Sequence, residues 1–292
     1  MKIETREKLK LAIENALIER QDVLQDILYS KYFSLFTSSK EISIARNAVA
    51  KVTNGLKTIQ KDIVDKGILH KRADGTSVKG YWKYVKEANT ADKLIVPFIE
   101  TLYPSLSLIS QRSDGTYVYD SIISGSHLDL LLEYKKVGYY CDDCCTLKDL
   151  RELMSSNNLL NRNNTNYLRA GLRNQAVSYL AKSTDSTSGF GMIVATNGIW
   201  YNVLLTGVLN YTTEECLALE TLLKDKLNGN NCDVLKNCGI PIMQFSIFDK
   251  DINKKVILFR HFVGDYLEYS DDFKDIVSEL KSYFISSVKS YI

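Results

Sequence analysis

The sequence reads as an α/β fold in two parts, and three observations lead there. Residues 5 to 65 carry apolar side chains at helical spacing among charges. From Thr116 onward, short runs rich in aliphatic and aromatic residues, bounded by glycine and asparagine, read as strands. Helical stretches alternate with those strands, the order expected of a mixed sheet flanked by helices. The 292 residues are enough for two ordinary domains. The change of pattern divides them into a helical module over 1–88 and an α/β domain over 89–292.

Composition excludes several classes. Hydrophobic residues make up 45% and charged residues 25%, which argues against disorder, collagen and simple coiled coil. With 37 Lys+Arg against 35 Asp+Glu, the formal charge of +2 supplies no global field for nucleic acid or membrane, so any basic patch is local. No apolar run reaches the roughly 18 residues of a membrane span. The start MKIETREKLK is charged where a signal peptide turns apolar. A cytoplasmic, intracellular protein without membrane partners is the expectation. The six cysteines then read as free thiols, although Cys141-x-x-Cys144 has metal-ligand spacing that Cys232 and Cys238 would complete.

In the first part, Leu9, Ile13, Leu17, Leu24 and Leu28 mark one or two amphipathic helices, and Ile44, Ala48 and Val52 mark another over Glu41 to Val52. Asn54-Gly55 reads as a turn, followed by a third helix with Leu56, Ile59 and Ile63 on one face, ending before Gly67. A hairpin is expected next, from Ile68-Leu69 through a turn at Ala73-Asp74-Gly75-Thr76 to a second strand at Gly80 to Val85. This order resembles a winged helix-turn-helix, with Leu56 to Asp65 as recognition helix and residues 70 to 82 as wing. Such a module implies a phosphate-contacting face, for which Lys57, Gln60, Lys61, Lys71 and Arg72 are the candidates.

In the second part, Asn89-Thr90 can cap a helix carrying Leu94, Ile95, Phe98 and Leu102, stopped by Pro104. A hairpin follows, with strands Thr116 to Ser124 and His127 to Val137 joined by the turn Gly125-Ser126. Helices are expected over 146–154 and 165–182, strands over 189–196 and 199–205 about Asn197-Gly198, and a helix over 213–227. A hairpin-like pair at 243–248 and 255–262 and a terminal helix over 272–291 complete the pattern.

Period-two alternation on the second hairpin strand places Asp129, Leu131, Glu133 and Lys135 on one face. Pairing across the turn can bring Asp120 beside Glu133. Two carboxylates and a lysine suit phosphodiester hydrolysis, because a hard Mg²⁺ ion is held by one or two carboxylates and a nearby amine can orient water. A two-residue turn favours Asp120 as partner of Glu133, and Asp129 is the alternative metal ligand.

Asp120 followed by Glu133-Tyr134-Lys135 resembles the PD-(D/E)XK nuclease pattern. Together with the helix KLIVPFIETL, Gln175-Ala176-Val177-Ser178-Tyr179 as Q-x-x-x-Y, and an apolar strand ending in Thr196-Asn197-Gly198 before Trp200, the order is similar to the N-terminal nuclease domain of type I restriction motor subunits over about residues 89 to 206. The resemblance implies a restriction-endonuclease-like core and a Mg²⁺- or Mn²⁺-dependent deoxyribonuclease of restriction, defence or mobile-element function. In it Asp120 and Glu133 hold metal, Lys135 positions water, and Gln175 and Tyr179 brace the site. Arg173 beside that motif can reach a phosphate. Tyr119 stands where the family's proline usually precedes the first acid. The sequence contains no GxxxxGK[ST] phosphate loop, so ATP-driven translocation is not expected of these residues. DNA is the expected partner, with a homodimer if both strands of a duplex are cut. The alternative is a non-catalytic DNA-binding regulator or interaction protein on a degenerate nuclease fold.

Overall fold

The computed structural model describes residues 21–65, 82, 85–113, 118–138, 147–153, 191–205 and 240–291. A six-stranded mixed sheet organises them, in the spatial order β1-β2-β3-β4-β5-β6. The strands are β1 (Leu108–Ser113), β2 (Val118–Ser124), β3 (Asp129–Tyr134), β4 (Met192–Thr196), β5 (Trp200–Leu205) and β6 (Ile240–Ser246). Only β3 and β4 pair in parallel; all other neighbours are antiparallel. MIVAT and WYNVLL show no polar alternation because every residue of β4 and β5 is buried.

The helices are α1 (Gln21–Tyr32), α2 (Ser39–Asp65), α3 (Glu87–Thr90), α4 (Val96–Leu102), α5 (Leu147–Leu153), α6 (Ile252–Glu268) and α7 (Asp271–Tyr291). A 3₁₀ turn, Phe33–Thr37, follows α1, and a π-helical turn, Ala91–Ile95, joins α3 to α4. Leu24 and Leu28 of α1, Val52 and Leu56 of α2, Phe98 of α4 and Phe259 and Phe262 of α6 share one apolar core with Leu132, Val194 and Val203 of the sheet. Residues on either side of position 88 thus contribute to the same core. Tyr201 stacks on Phe245 with ring centroids 5.0 Å apart and packs against Phe98 at 4.7 Å. Ile122, Leu131, Ile193 and Leu204 are buried too but lie outside that cluster, so the opposite face of the sheet is also covered.

Several expectations are corrected. Asn54-Gly55 is not a turn, because α2 runs unbroken through it from Ser39 to Asp65. The helix Leu56 to Asp65 is therefore the second half of one long helix, and the helix-turn-helix reading loses its turn. Gly55 serves close approach instead: a β-carbon there would overlap the Lys93 carbonyl oxygen and stand 2.8 Å from Leu94 Cδ2. The expected strand over 255–262 is the interior of α6. Its run Val256-Ile257-Leu258-Phe259 is buried all round, which erases the polar side that distinguishes the two periods. Strand β1 was not expected; LISQRS is polar and its Ile109 is exposed, so it lacks an apolar run.

The β2–β3 connection spans Gly125 to Leu128 rather than two residues, closed by Gly125 N–H donating to Leu128 O at 3.0 Å. The remaining elements fall close to expectation, including α5, β4, β5 and α7. Of the expected wing and its second strand only Trp82 and Val85 are described, and they do not form a strand: Val85 N–H donates to Trp82 O at 3.1 Å in a turn, with both side chains buried in the core. The helices over 165–182 and 213–227 lie outside the described residues, as do all six cysteines.

Candidate functional site

The site is assembled where β2 and β3 leave their shared ladder. Ser121 pairs with Leu132, Ile122 with Leu131 and Ser124 with Asp129. Continuing that register by one step sets Asp120 opposite Glu133. Beyond it the Asp120 carboxylate takes over from the backbone, as Oδ2 accepts the Tyr134 N–H at 2.8 Å. The Tyr134 hydroxyl donates to Asp120 O at 3.1 Å and is hydrogen-bonded to Ser121. These contacts hold Asp120 against β3.

Glu133 is 1% exposed. Its Oε1 accepts a hydrogen bond from Lys135 Nζ at 2.8 Å, whereas Oε2 is buried with no hydrogen-bond partner. Burial, and then the nearby Asp120 carboxylate, push the Glu133 pKa up to about 7, against the opposing pull of Lys135. Burial also disfavours charge on Lys135, but the bond to Glu133 and the carboxylates of Glu133, Glu87 and Asp120 outweigh it. The Lys135 pKa lies above the ordinary lysine value, so the side chain is an ammonium at neutral pH.

Glu87, the first residue of α3, is a site residue that the sequence reading missed. Thr90, three residues later and on the same helix face, accepts the Val137 N–H on Oγ1 at 2.9 Å, which ties α3 to the chain just past Lys135. Burial raises the Glu87 pKa, with Lys135 lowering it and Asp120 raising it. Nothing in EANT distinguishes this glutamate from a solvated helix start, because an acid in the first turn is the ordinary choice there.

The π turn carries this arrangement. Leu94 sits between Gly55 of α2 and Gly198 of the β4–β5 turn, where a β-carbon would stand 2.8 Å from Leu94 Cβ. Gly198 also has φ +83°, a conformation that favours glycine. In the same turn Thr196 Oγ1 accepts the Gly198 N–H, and Asn197 Oδ1 accepts the N–H groups of Ile199 and Trp200. Thr196 O in turn accepts the Lys135 N–H at 3.0 Å. The Thr-Asn-Gly segment thereby braces the chain at Lys135.

Asp129 does not join this group. It lies four residues from Glu133 on β3, roughly 13 Å along the strand, and pairs with Ser124 at the loop end. Lys57 and Lys61 lie on the exposed side of α2 with Gln60 half-buried between them. Gln175, Tyr179, Arg173, Lys71 and Arg72 are outside the described residues.

Among the described residues no group of three or more His, Cys, Asp or Glu side chains is arranged as a metal cage. Two carboxylates nonetheless fit a hard cation that keeps most of its waters, and the unpartnered Glu133 Oε2 is the oxygen with capacity to coordinate. No described helix is long and apolar enough to cross a membrane. No family model, curated protein or solved structure matches the chain.

Proposed function

We propose that this protein is a Mg²⁺- or Mn²⁺-dependent deoxyribonuclease with a restriction-endonuclease-like core, acting in restriction, defence or mobile-element biology. One observation supports the reading most directly: the buried Glu133 carboxylate has one oxygen on Lys135 and the other without a partner, beside Asp120 on the adjoining strand. A buried carboxylate oxygen left unpaired is costly, and a cation removes that cost.

Glu133 Oε2 and the Asp120 carboxylate would hold the ion, which when bound neutralises charge on the scissile phosphate. Asp120 is held in register by the Tyr134 N–H, so its approach to the ion is set by the sheet. Lys135, kept cationic by its carboxylate neighbours, orients water and offsets charge on the phosphate rather than accepting a proton. Glu87 adds a further negative charge that favours the ammonium form of the same lysine. Lys57 and Lys61 would add sequence-independent affinity for the DNA backbone, and a homodimer would supply a second site for the other strand.

The test is incubation of plasmid and linear DNA with the protein and Mg²⁺, then with chelator, beside Glu133→Gln. Cleavage that needs both the ion and Glu133 is expected. DNA binding without cleavage in any divalent ion would replace this reading with a non-catalytic DNA-binding role.

A further inference from the structure

A cleft opens between α6 and the segment that follows α4. Arg260, His261, Gly264, Asp265 and Glu268 form its α6 wall, and the chain from Leu102 to Leu106 and the loop at Gly125-Ser126 form the rest. Its volume of about 480 Å³ lies in the range of small-molecule sites. Ser124 pairs with Asp129 at the start of β3, whereas Glu133 lies near the end of that strand. The cleft and the acidic site therefore occupy opposite ends of the β2–β3 pair.

Two features of the α6 wall cost stability, and nothing among the described residues offsets them. Gly264 is interior to α6, where glycine is disfavoured against every residue except proline. It does not serve close approach as Gly55 does, since an added β-carbon would meet only Tyr103 Cε1, at an ordinary 4.0 Å. Glycine at this position leaves the floor of the cleft open. Asp265 and Glu268 follow at the negative end of the helix dipole, in a last turn that has no basic residue. Asp265 Oδ2 accepts the Tyr32 hydroxyl at 2.6 Å, Glu268 is exposed, and neither acid has a cationic partner among the described residues.

The remaining charges of the cleft are already matched. Arg260 Nη1 donates to Glu41 Oε2 at 2.6 Å, His261 Nε2 stands 2.9 Å from the same oxygen, and Arg260 Nε donates to Leu102 O. Glu41 is nearly buried and balances the guanidinium, so the surplus in the cleft is the negative charge of Asp265 and Glu268. A hard inorganic cation takes oxygen ligands on all sides, but Leu102, Pro104, Leu106 and Leu267 make much of this lining apolar. An organic cation matches both parts, with ammonium groups at the acids and methylene groups against the leucines and the Tyr103 ring. Acids three residues apart on one helix face are neighbours, so two ammonium groups on a short chain can engage both. We propose that this cleft binds an aliphatic polyamine, held by Asp265 and Glu268 across the space that Gly264 leaves open. The site does not depend on the nuclease reading.

The experiment is isothermal titration of the full chain with 1,4-diaminobutane, beside butylamine, which keeps the carbon chain and lacks the second ammonium. Wild type should show one saturable site for the diamine and bind butylamine at least about 10-fold more weakly. Glu268→Gln, an exposed change that leaves the core intact, should weaken the diamine about 10-fold. Gly264→Leu should abolish binding by filling the floor. Gly264→Ala keeps the test informative if the leucine variant fails to fold: it should raise the melting temperature, as alanine does within a helix, while weakening the diamine. A glycine needed for packing would give a lower melting temperature instead, and that result overturns the proposal. So does the lack of a saturable site in wild type, or unchanged affinity in Glu268→Gln. Loss of diamine binding in Glu133→Gln would place the amine at the acidic site and overturn it too.

Discussion

Lys135, one residue past the end of β3, places its Nζ 2.8 Å from Glu133 Oε1, while the other oxygen of that buried carboxylate has no hydrogen-bond partner. The lysine therefore neutralises half of a group that a cation would complete. Lys135→Ala should abolish metal-dependent cleavage and destabilise the fold by roughly 3 kcal/mol at pH 8, because it strands a buried charge. Chemical denaturation beside a cleavage assay checks both. Full activity in Lys135→Ala would remove the lysine from the site.

The raised Glu133 pKa makes stability depend on pH. An unfolded glutamate titrates near 4.3, the folded one at about 7, so the folded state holds an extra proton between them. This group's contribution is complete below about pH 4 and is lost as pH rises through about 7. Glu133→Gln should flatten the decline relative to wild type, by on the order of 3 kcal/mol at pH 8. Mg²⁺ should raise the wild-type melting temperature at pH 8 and leave that of Glu133→Gln unchanged. Parallel stability curves for the two proteins would show that Glu133 titrates normally.

Asp120 and Asp129 are separated by the same geometry. Asp120→Asn should remove the Mg²⁺ response, because Asp120 is held beside Glu133 through the Tyr134 N–H. Asp129→Asn should retain it, since its strand position is too far for a shared ion. Isothermal titration with Mg²⁺ gives the answer, and the reverse pattern would move the site to the loop end of β3.

Gly55→Ala tests the helix crossing. In an exposed helix this change stabilises by up to about 1 kcal/mol. Here the added methyl meets the Lys93 carbonyl and Leu94, so destabilisation of roughly 1–3 kcal/mol is expected. A rise in melting temperature would show that α2 and the π turn are not in contact.

Lys57 and Lys61 share the exposed side of α2. If both contact phosphate, replacing them with alanine should reduce the slope of log affinity against log salt by about 0.9 for each lost contact. An unchanged slope would take α2 out of the DNA interface.

Local pattern was sufficient for several of these features. The alternation in HLDLLLEYKKV identified a strand bearing Glu133, although the strand stops at Tyr134 and leaves Lys135 just past its end, and Asn197-Gly198 identified the turn between β4 and β5. These signals are local: strand period and turn chemistry act within a few residues, whatever the rest of the chain does. Asn54-Gly55 misled because the same residues that favour turns also permit close packing, and only the presence of Lys93 and Leu94 against Gly55 decides between the two uses. The buried run in α6 misled because complete burial removes the polar face by which period is read.

What the sequence by itself determined was the class of fold, most of the strands and the chemical identity of an acid, acid and lysine set. Tertiary structure alone decided which acid stands beside Glu133 and that Glu87 joins them. Strand register and helix crossings bring together residues far apart in the chain, Gly55 and Leu94 among them. Those pairings are set by the packing of the whole core, and no window of neighbouring residues carries them.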